Sequence, residues 1–342
     1  MLGRAPSLNR AAFGAWFIEV VVEVSVMKLL PVLGLLAATA STPGFACASC
    51  GCALTSDWLN QGFVAQPGTS VSLRYDYVPQ TELRAGAHAI GRRENALPAD
   101  REIERYTYNH YLIATIDRQF SSDWGLNVQM PLVYRPHATI AEGEENPSFS
   151  HTGGIGDVRV TARWQGFSTP GSINGIQVGL VLPTGRFRQR FRSGSEQGEE
   201  VDRGLQPGFG VLQAALGYYR FGRAARDLDY IVQIEAQVPI NSREGFKPGV
   251  SGQASAALHF TRWRGLTPEL QMAVKASGGD AGVNSDRANS GGLQLYAAPG
   301  LVAILSAGTS VFAHVQLPLY QRVNGYQLTP QATASLGIQH RF

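Results

Sequence analysis

Three cysteines, Cys47, Cys50 and Cys52, are the only ones among 342 residues, and they fall within one short stretch, Cys-Ala-Ser-Cys-Gly-Cys. Thiols this close together can bind a soft metal such as Cu(I), exchange disulfides or carry a lipid. Other chemistries fit poorly. A structural zinc site takes four ligands, and only three thiols stand together here. Covalent haem attachment needs a His after C-x-x-C, and Gly51 stands there. Lipidation of Cys47 favours a Leu three residues earlier, where this chain has Gly44. Three readings stay open: disulfide-forming or incidental thiols, a lipid on Cys47, and contact with a metal or redox partner.

The histidines, His88, His110, His137, His151, His259, His314 and His340, are the other candidates for catalysis. A membrane hydrolase needs a nucleophile, a His and an orienting acid within reach of one another. No Ser stands two positions from any of these histidines on an outward face with a suitable acid. Walker, Rossmann and zinc-hydrolase motifs are missing as well. No enzyme is expected, and no cofactor.

What remains is a set of charged residues spread along the chain. Only 16% of residues are charged, against about 25% in soluble domains. Acids and bases alternate within the same segments, and the formal net charge is +3. That pattern forms no basic face and gives no reason to expect nucleic acid.

The elements that must position these charges begin after a leader. Met27-Lys28 opens an apolar run from Leu29 to Ala40, followed by small residues up to Ala46 and Ala48. A positive start, a dozen apolar residues and small residues after them make a secretory signal peptide. The run falls short of the roughly 20 residues a spanning helix needs. Residues 1–48 are therefore expected to be an upstream extension and signal peptide. Residues 49–68 are expected to be a periplasmic segment carrying the cysteine cluster, and 69–342 the functional body.

In that body the period is two, repeatedly. Trp124, Leu126, Val128, Met130, Leu132 and Tyr134 alternate with Gly125, Asn127, Gln129, Pro131, Val133 and Arg135. The apolar set is capped by aromatics at both ends. Its length matches the ~9–11 residues of a tilted strand crossing a bilayer with an aromatic girdle at each interface. The chain end repeats the pattern: Phe342, His340, Ile338 and Leu336 form an apolar face ending in an aromatic, the form of a recognition signal for the barrel-assembly machinery. Twelve such strands are expected, near 70–79, 106–118, 124–135, 156–167, 175–186, 208–221, 229–240, 252–262, 267–277, 292–304, 310–321 and 330–342. An even count suits a single-chain barrel, and closure removes exposed edges. The expected fold is all-β, a transmembrane antiparallel β-barrel in outer-membrane lipid. Short connections alternate with long ones at 80–105, 136–155, 187–207, 241–251, 278–291 and 322–329, so the long loops share the outer end.

Parity places Arg74, Asp76, Asp157, Arg159, Arg163, Glu235 and Lys275 in the lumen, with Asp157, Arg159 and Arg163 as the expected constriction. Asp117, Asp229, Glu269 and Arg341 point the same way. The signs nearly balance, which suits pairing across a narrow lumen more than a wide pore of one sign. A hydrophobic-Pro step followed by Arg recurs at Arg135, Arg186, Arg243 and Arg322. It places those arginines at the outer rim, as a strand-end device or as a ring selecting anions.

Three segments carry a family resemblance: Gly154-Ile155-Gly156-Asp157-Val158-Arg159-Val160, Leu180-Val181-Leu182-Pro183-Thr184-Gly185 and Gln206-Pro207-Gly208-Phe209-Gly210. This series resembles the outer-membrane transporters grouped under the MetA-pathway of phenol degradation, most closely over 152–222. The cysteine cluster is not part of that pattern. The resemblance implies a barrel that passes small solutes, often aromatic or apolar. The expected function is therefore an outer-membrane channel for passive diffusion of a small solute. The other reading is a non-conducting barrel that scaffolds a periplasmic metal or redox partner through Cys47, Cys50 and Cys52.

Overall fold

The computed structural model describes residues 67–91 and 95–342. The leader and the cysteine cluster lie outside the described residues, and so does most of the 49–68 segment. The chain forms β1 (Gly68–Ala85), the two-residue β2 (His88–Ala89), β3 (Ile103–Gln119), β4 (Trp124–Ile140), β5 (Ser148–Ile155), β6 (Val158–Trp164) and β7 (Ser172–Leu182). A 3-10 turn over Arg203–Leu205 precedes β8 (Gln213–Ala225), β9 (Leu228–Pro239), β10 (Ser251–Phe260) and β11 (Leu266–Ser277). Then come β12 (Gly292–Ser306), β13 (Thr309–Val323), β14 (Tyr326–Pro330) and β15 (Thr333–Arg341).

Neighbouring strands pair antiparallel around a closed circle, with β1 joining β3 on one side and β14 and β15 on the other. Strands β5 and β6 lie end to end along β4, and β14 and β15 lie end to end along β1, so the wall has twelve staves. This is the expected antiparallel barrel. Among the described residues, closure gives each of the twelve staves a neighbour on both sides, which a bilayer core demands.

The side chains explain why the barrel faces this way. On β9, Val232, Ile234 and Val238 are 42–55% exposed on the outside, while Gln233 and Glu235 are 5% and 7% exposed inside. Apolar outside and polar inside is the reverse of a water-soluble barrel and the rule for one in lipid. Trp124, Phe120 and Trp263 stand exposed at the short-turn end, and Tyr75 and Tyr134 toward the other. Phe342, Ile338 and Leu336 face outward on the last stave.

The structure differs from expectation where the long loops begin. Strand β1 continues to Ala85, β4 runs to Ile140, and β5 returns at once from Ser148. Much of 80–105, 136–155 and 322–329 is therefore strand. The reason is a small apolar core over this part of the outer end, where Leu83, Ile103, Ile140 and Leu328 pack together. Between β5 and β6 one extra residue enters the ladder, because Ile155 opposes Leu132 and Arg159 opposes Gln129. Such a bulge resets which side chains face inward. It lets Thr152 and then Asp157, Arg159, Thr161 and Arg163 all serve the interior.

Inside, large side chains lie against glycines of the next strand. Gly125 faces Arg163 and Gln119, Gly175 faces Tyr219, and Gly217 faces Gln177. A methyl group at any of the three would collide with those side chains.

Candidate functional site: the lumen and its inserted loop

Toward the short-turn end, β3, β4 and β6 bring Asp117, Asn127 and Arg163 together. Arg163 Nη1 and Nη2 donate to the two Asp117 oxygens at 2.5 and 2.8 Å, and Asn127 Nδ2 adds a bond of 2.9 Å. Both charged side chains are nearly sealed from water. The fork of Arg matches the two carboxylate oxygens, the geometry in which such pairs are strongest. Next to it, Tyr219 Oη donates to Gln165 Oε1 at 2.8 Å.

One layer further in, Arg159 of β6 reaches Glu235 of β9 over the two intervening strands, β7 and β8. Its Nη2 donates to Oε2 at 2.5 Å, and Gln177 Nε2 donates to the same oxygen at 2.7 Å. Arg159 Nη1 also reaches Gln237 Oε1 at 3.3 Å. A small cavity of about 20 Å³, room for a single water, lies against this pair. The opposite wall is filled differently. Arg74 Nε donates to Asp76 Oδ2 at 3.0 Å. The Glu269 carboxylate lies between His314 Nε2 at 2.5 Å and His259 Nε2 at 3.5 Å.

Above Arg159 the lumen opens into a chamber of about 240 Å³, partly open to solvent. Its walls are apolar at Ile113, Val133 and Val181, with Arg74, Arg135 and Arg159 among its polar groups. Its roof comes from the long connection between β7 and β8, which folds inward instead of standing in solvent. Pro207, Gly208 and Phe209 of that connection line the chamber.

Three side chains pin the loop. Arg135 Nη1 donates to the carbonyls of Gly204 and Gln206 at 2.9 and 3.3 Å, while Nη2 holds Tyr111 Oη at 2.9 Å. Thr152 Oγ1 donates to Leu205 O at 2.6 Å. Asp157 accepts from Gly185 N and Phe209 N, both at 2.9 Å. Gly185 and Gly208 meet backbone to backbone, where a Cβ on either would come within 2.7 Å of the other. The glycines of the sequence motif are therefore the contact that lets the loop seat.

Over the loop stands a second assembly. The Arg203 guanidinium lies 4.4 Å from the Phe187 ring centre and 5.5 Å from that of Phe246. Phe246 stacks on Phe209 at 6.0 Å. Glu244 accepts from Arg188 and from Arg203 Nη2. Among the described residues Glu244 is the only non-glycine with positive φ, at 51°, a conformation that persists where surrounding contacts hold it. On the far side of Phe209 lies a vestibule of about 60 Å³, lined by Lys275, Asp280 and Pro248 among others.

The outer loops also gather buried acids. Desolvation, aided by the nearby charges of Asp286, Glu196 and Asp280, pushes the Asp202 carboxyl up to about 7. Burial pushes Asp280 up to about 6 despite the bond it accepts from Gly249 N. Burial, with Asp202 and Glu104 nearby, holds Glu102 well above the ordinary carboxylate range.

The charged residues expected in the lumen are thus distributed over separate sites. Arg159 and Glu235 meet. Arg163 pairs with Asp117, Arg74 with Asp76, and Lys275 lines the vestibule. Asp157 lines the chamber as a clamp for the inserted loop. The rim expectation does not hold for Arg135, which is 6% exposed and points inward, because the loop carbonyls it serves lie inside the barrel. Arg186, Arg243 and Arg322 are exposed, and Arg243 lies beside the Phe187 ring. Period-two reasoning does not single out Phe209, Tyr111, Arg203 or Glu244. The signal that could find the loop is the apolar content of residues 201–211. Val201, Leu205 and Val211 have no reason to sit in a solvated connection, and all three are buried.

No protein-family model matches the chain, and no curated protein matches it. Among solved structures, an outer membrane channel from Pseudomonas putida F1 superposes with a TM-score of 0.60 at 13% identity, covering 81% of this chain and 96% of that one. The β domain of the Bordetella autotransporter BrkA gives 0.46 at 12% identity, over 81% of this chain and 100% of that one. The toluene transporter TodX of Pseudomonas putida gives 0.42 at 9% identity, over 80% and 90%. At the first of these scores the likeness is one of architecture, a closed antiparallel barrel.

Proposed function

We propose that this chain is a channel of the bacterial outer membrane that lets a small solute, aromatic or apolar in part, diffuse passively across it. The observation that carries the reading is the run of three adjoining cavities along the barrel interior. The outer vestibule shares Phe209, Gln213 and Gln237 with the main chamber, and the chamber shares Gln129 and Arg159 with the inner cavity. The mixed lining supports a solute with an apolar body and a few polar atoms. The Arg159–Glu235 pair is the inner barrier, because a solute must move around its bridged side chains. The outward face of the C-terminal stave, with Leu336, Ile338, His340 and Phe342, serves delivery to the membrane by the barrel-assembly machinery. Likeness in fold to a protein described as an outer membrane channel agrees with the reading, as does the motif resemblance to the MetA-pathway transporters. The mechanism requires no catalytic group.

The test is conductance and solute flux of the mature chain in planar bilayers and liposomes. Discrete steps, unchanged when Cys50 and Cys52 are both changed to Ser, are the expected result. A protein that retains its β circular dichroism but passes neither ions nor small aromatic solutes would overturn it.

A further inference from the structure

We infer that the Phe209 ring is the door between the outer vestibule and the main chamber, and that it sets the cross-section of what passes. The inference rests on the channel reading and assigns its selectivity to one side chain. Phe209 lines both cavities, with only Gln213 and Gln237 doing the same. Those two glutamines are tied to each other, Gln237 Nε2 donating to Gln213 Oε1 at 2.9 Å. They form a fixed sill, and the aromatic ring is the remaining part of the partition.

The backbone at Phe209 is clamped on both sides. Its N–H is held by Asp157 and its carbonyl accepts from Arg203 Nη1 at 3.2 Å. The neighbours Gly208 and Gly210 carry no side chain that could share the partition. Gly210 takes a φ of 69°, and a Cβ there would strike the Phe187 ring. Motion at this point is therefore confined to the two side-chain torsions of one phenyl ring. At rest the ring stacks on Phe246, which itself carries Arg203 above it. An offset aromatic pair of this kind adds only a modest attraction beyond its buried area. A contact that weak holds a half-buried side chain in place most of the time and still lets it swing. The rigid loop thus presents a single movable part, and the space that part vacates fixes the width of the opening.

The experiment is liposome permeation with a series of solutes of rising cross-section, from glycerol through benzyl alcohol to branched and fused-ring alcohols. It compares the wild type with Phe209→Ala and Phe209→Trp, each checked for heat-modifiable migration as folded barrels. The door predicts that Phe209→Ala admits the bulkier solutes several-fold faster while glycerol changes little. Phe209→Trp should slow all but the smallest, and the ion selectivity set at Arg159 and Glu235 should stay as it was in both. Equal solute ranking in all three proteins, with a wild type that does conduct, overturns the inference and leaves the channel standing. A wild type that passes none of the solutes removes the channel reading and this inference with it. If Phe209→Ala fails to fold, the Trp variant decides: unchanged flux through it refutes the door.

Discussion

Asp157→Ala should release the inserted loop, and the effect can be worked from two bonds. The carboxylate accepts Gly185 N and Phe209 N, each at 2.9 Å, and so ties both ends of the connection to the barrel wall. A hydrogen bond to a charged group contributes about 1.5–3 kcal/mol. Losing both gives about 3 kcal/mol or more, and about 1.4 kcal/mol is a factor of ten. The population with the loop unseated should therefore rise about a hundredfold. Hydrogen–deuterium exchange of the Gly185 and Phe209 amides in lipid vesicles reads this directly, since both become open to solvent when the clamp goes. Asp157→Asn keeps one acceptor oxygen and should give roughly a tenfold effect. In a bilayer the Ala variant should show noisier current as the loop enters and leaves the lumen. Amide exchange at these two positions indistinguishable from wild type would refute the clamp. The loop would then be held by Arg135, Thr152 and the glycine contact alone.

Glu235→Gln leaves Arg159 without its carboxylate and should move the reversal potential in a salt gradient toward anions, while Arg159→Gln should move it toward cations. Arg163→Met strands the Asp117 carboxylate where 4% of its side chain is exposed, and removing one partner of a buried pair costs about 3–5 kcal/mol. The urea midpoint in vesicles should fall accordingly, and adding Asp117→Asn should recover much of the loss. Asp202 and Asp280, lifted to about 7 and about 6 from a usual 3.8, are favoured in the protonated form when folded. Their stabilising contribution is complete below the unfolded value and disappears as pH rises through 6 and 7. The outer loops should loosen between about pH 4 and 7, read as growing current fluctuation, and Asp202→Asn should abolish most of that dependence.

The barrel is legible because lipid imposes a period-two code that survives in single strands such as 124–135. The same code places Arg159, Glu235 and Arg163 on the inner face by parity alone. Parity cannot say which inward charges meet, since pairing depends on stagger around the barrel. Asp117 and Arg163 are 46 positions apart, and Arg159 and Glu235 are 76 apart. Arg135 is misplaced for a related reason. Its strand continues to Ile140, so the residue is well inside the wall instead of at its rim. The inserted loop is the larger omission. Its Gln206-Pro207-Gly208-Phe209-Gly210 motif is visible as a likeness, yet the close contact between Gly185 and Gly208 that explains those glycines is a property of the folded chain.

The glycines set into the inner wall make the bore a tunable dimension. Each one is a recess in which a neighbour's side chain lies flat: Tyr219 over Gly175, Gln177 over Gly217, Arg163 over Gly125. Filling a recess would push its occupant toward the axis and narrow the passage without touching the occupant itself. Shortening the occupant would carve a groove along the wall and leave the strand ladder intact. A designer could thus adjust calibre in small steps, two positions at a time, while the number of staves stays fixed. A lineage drifting under selection would be expected to change the members of each such couple together.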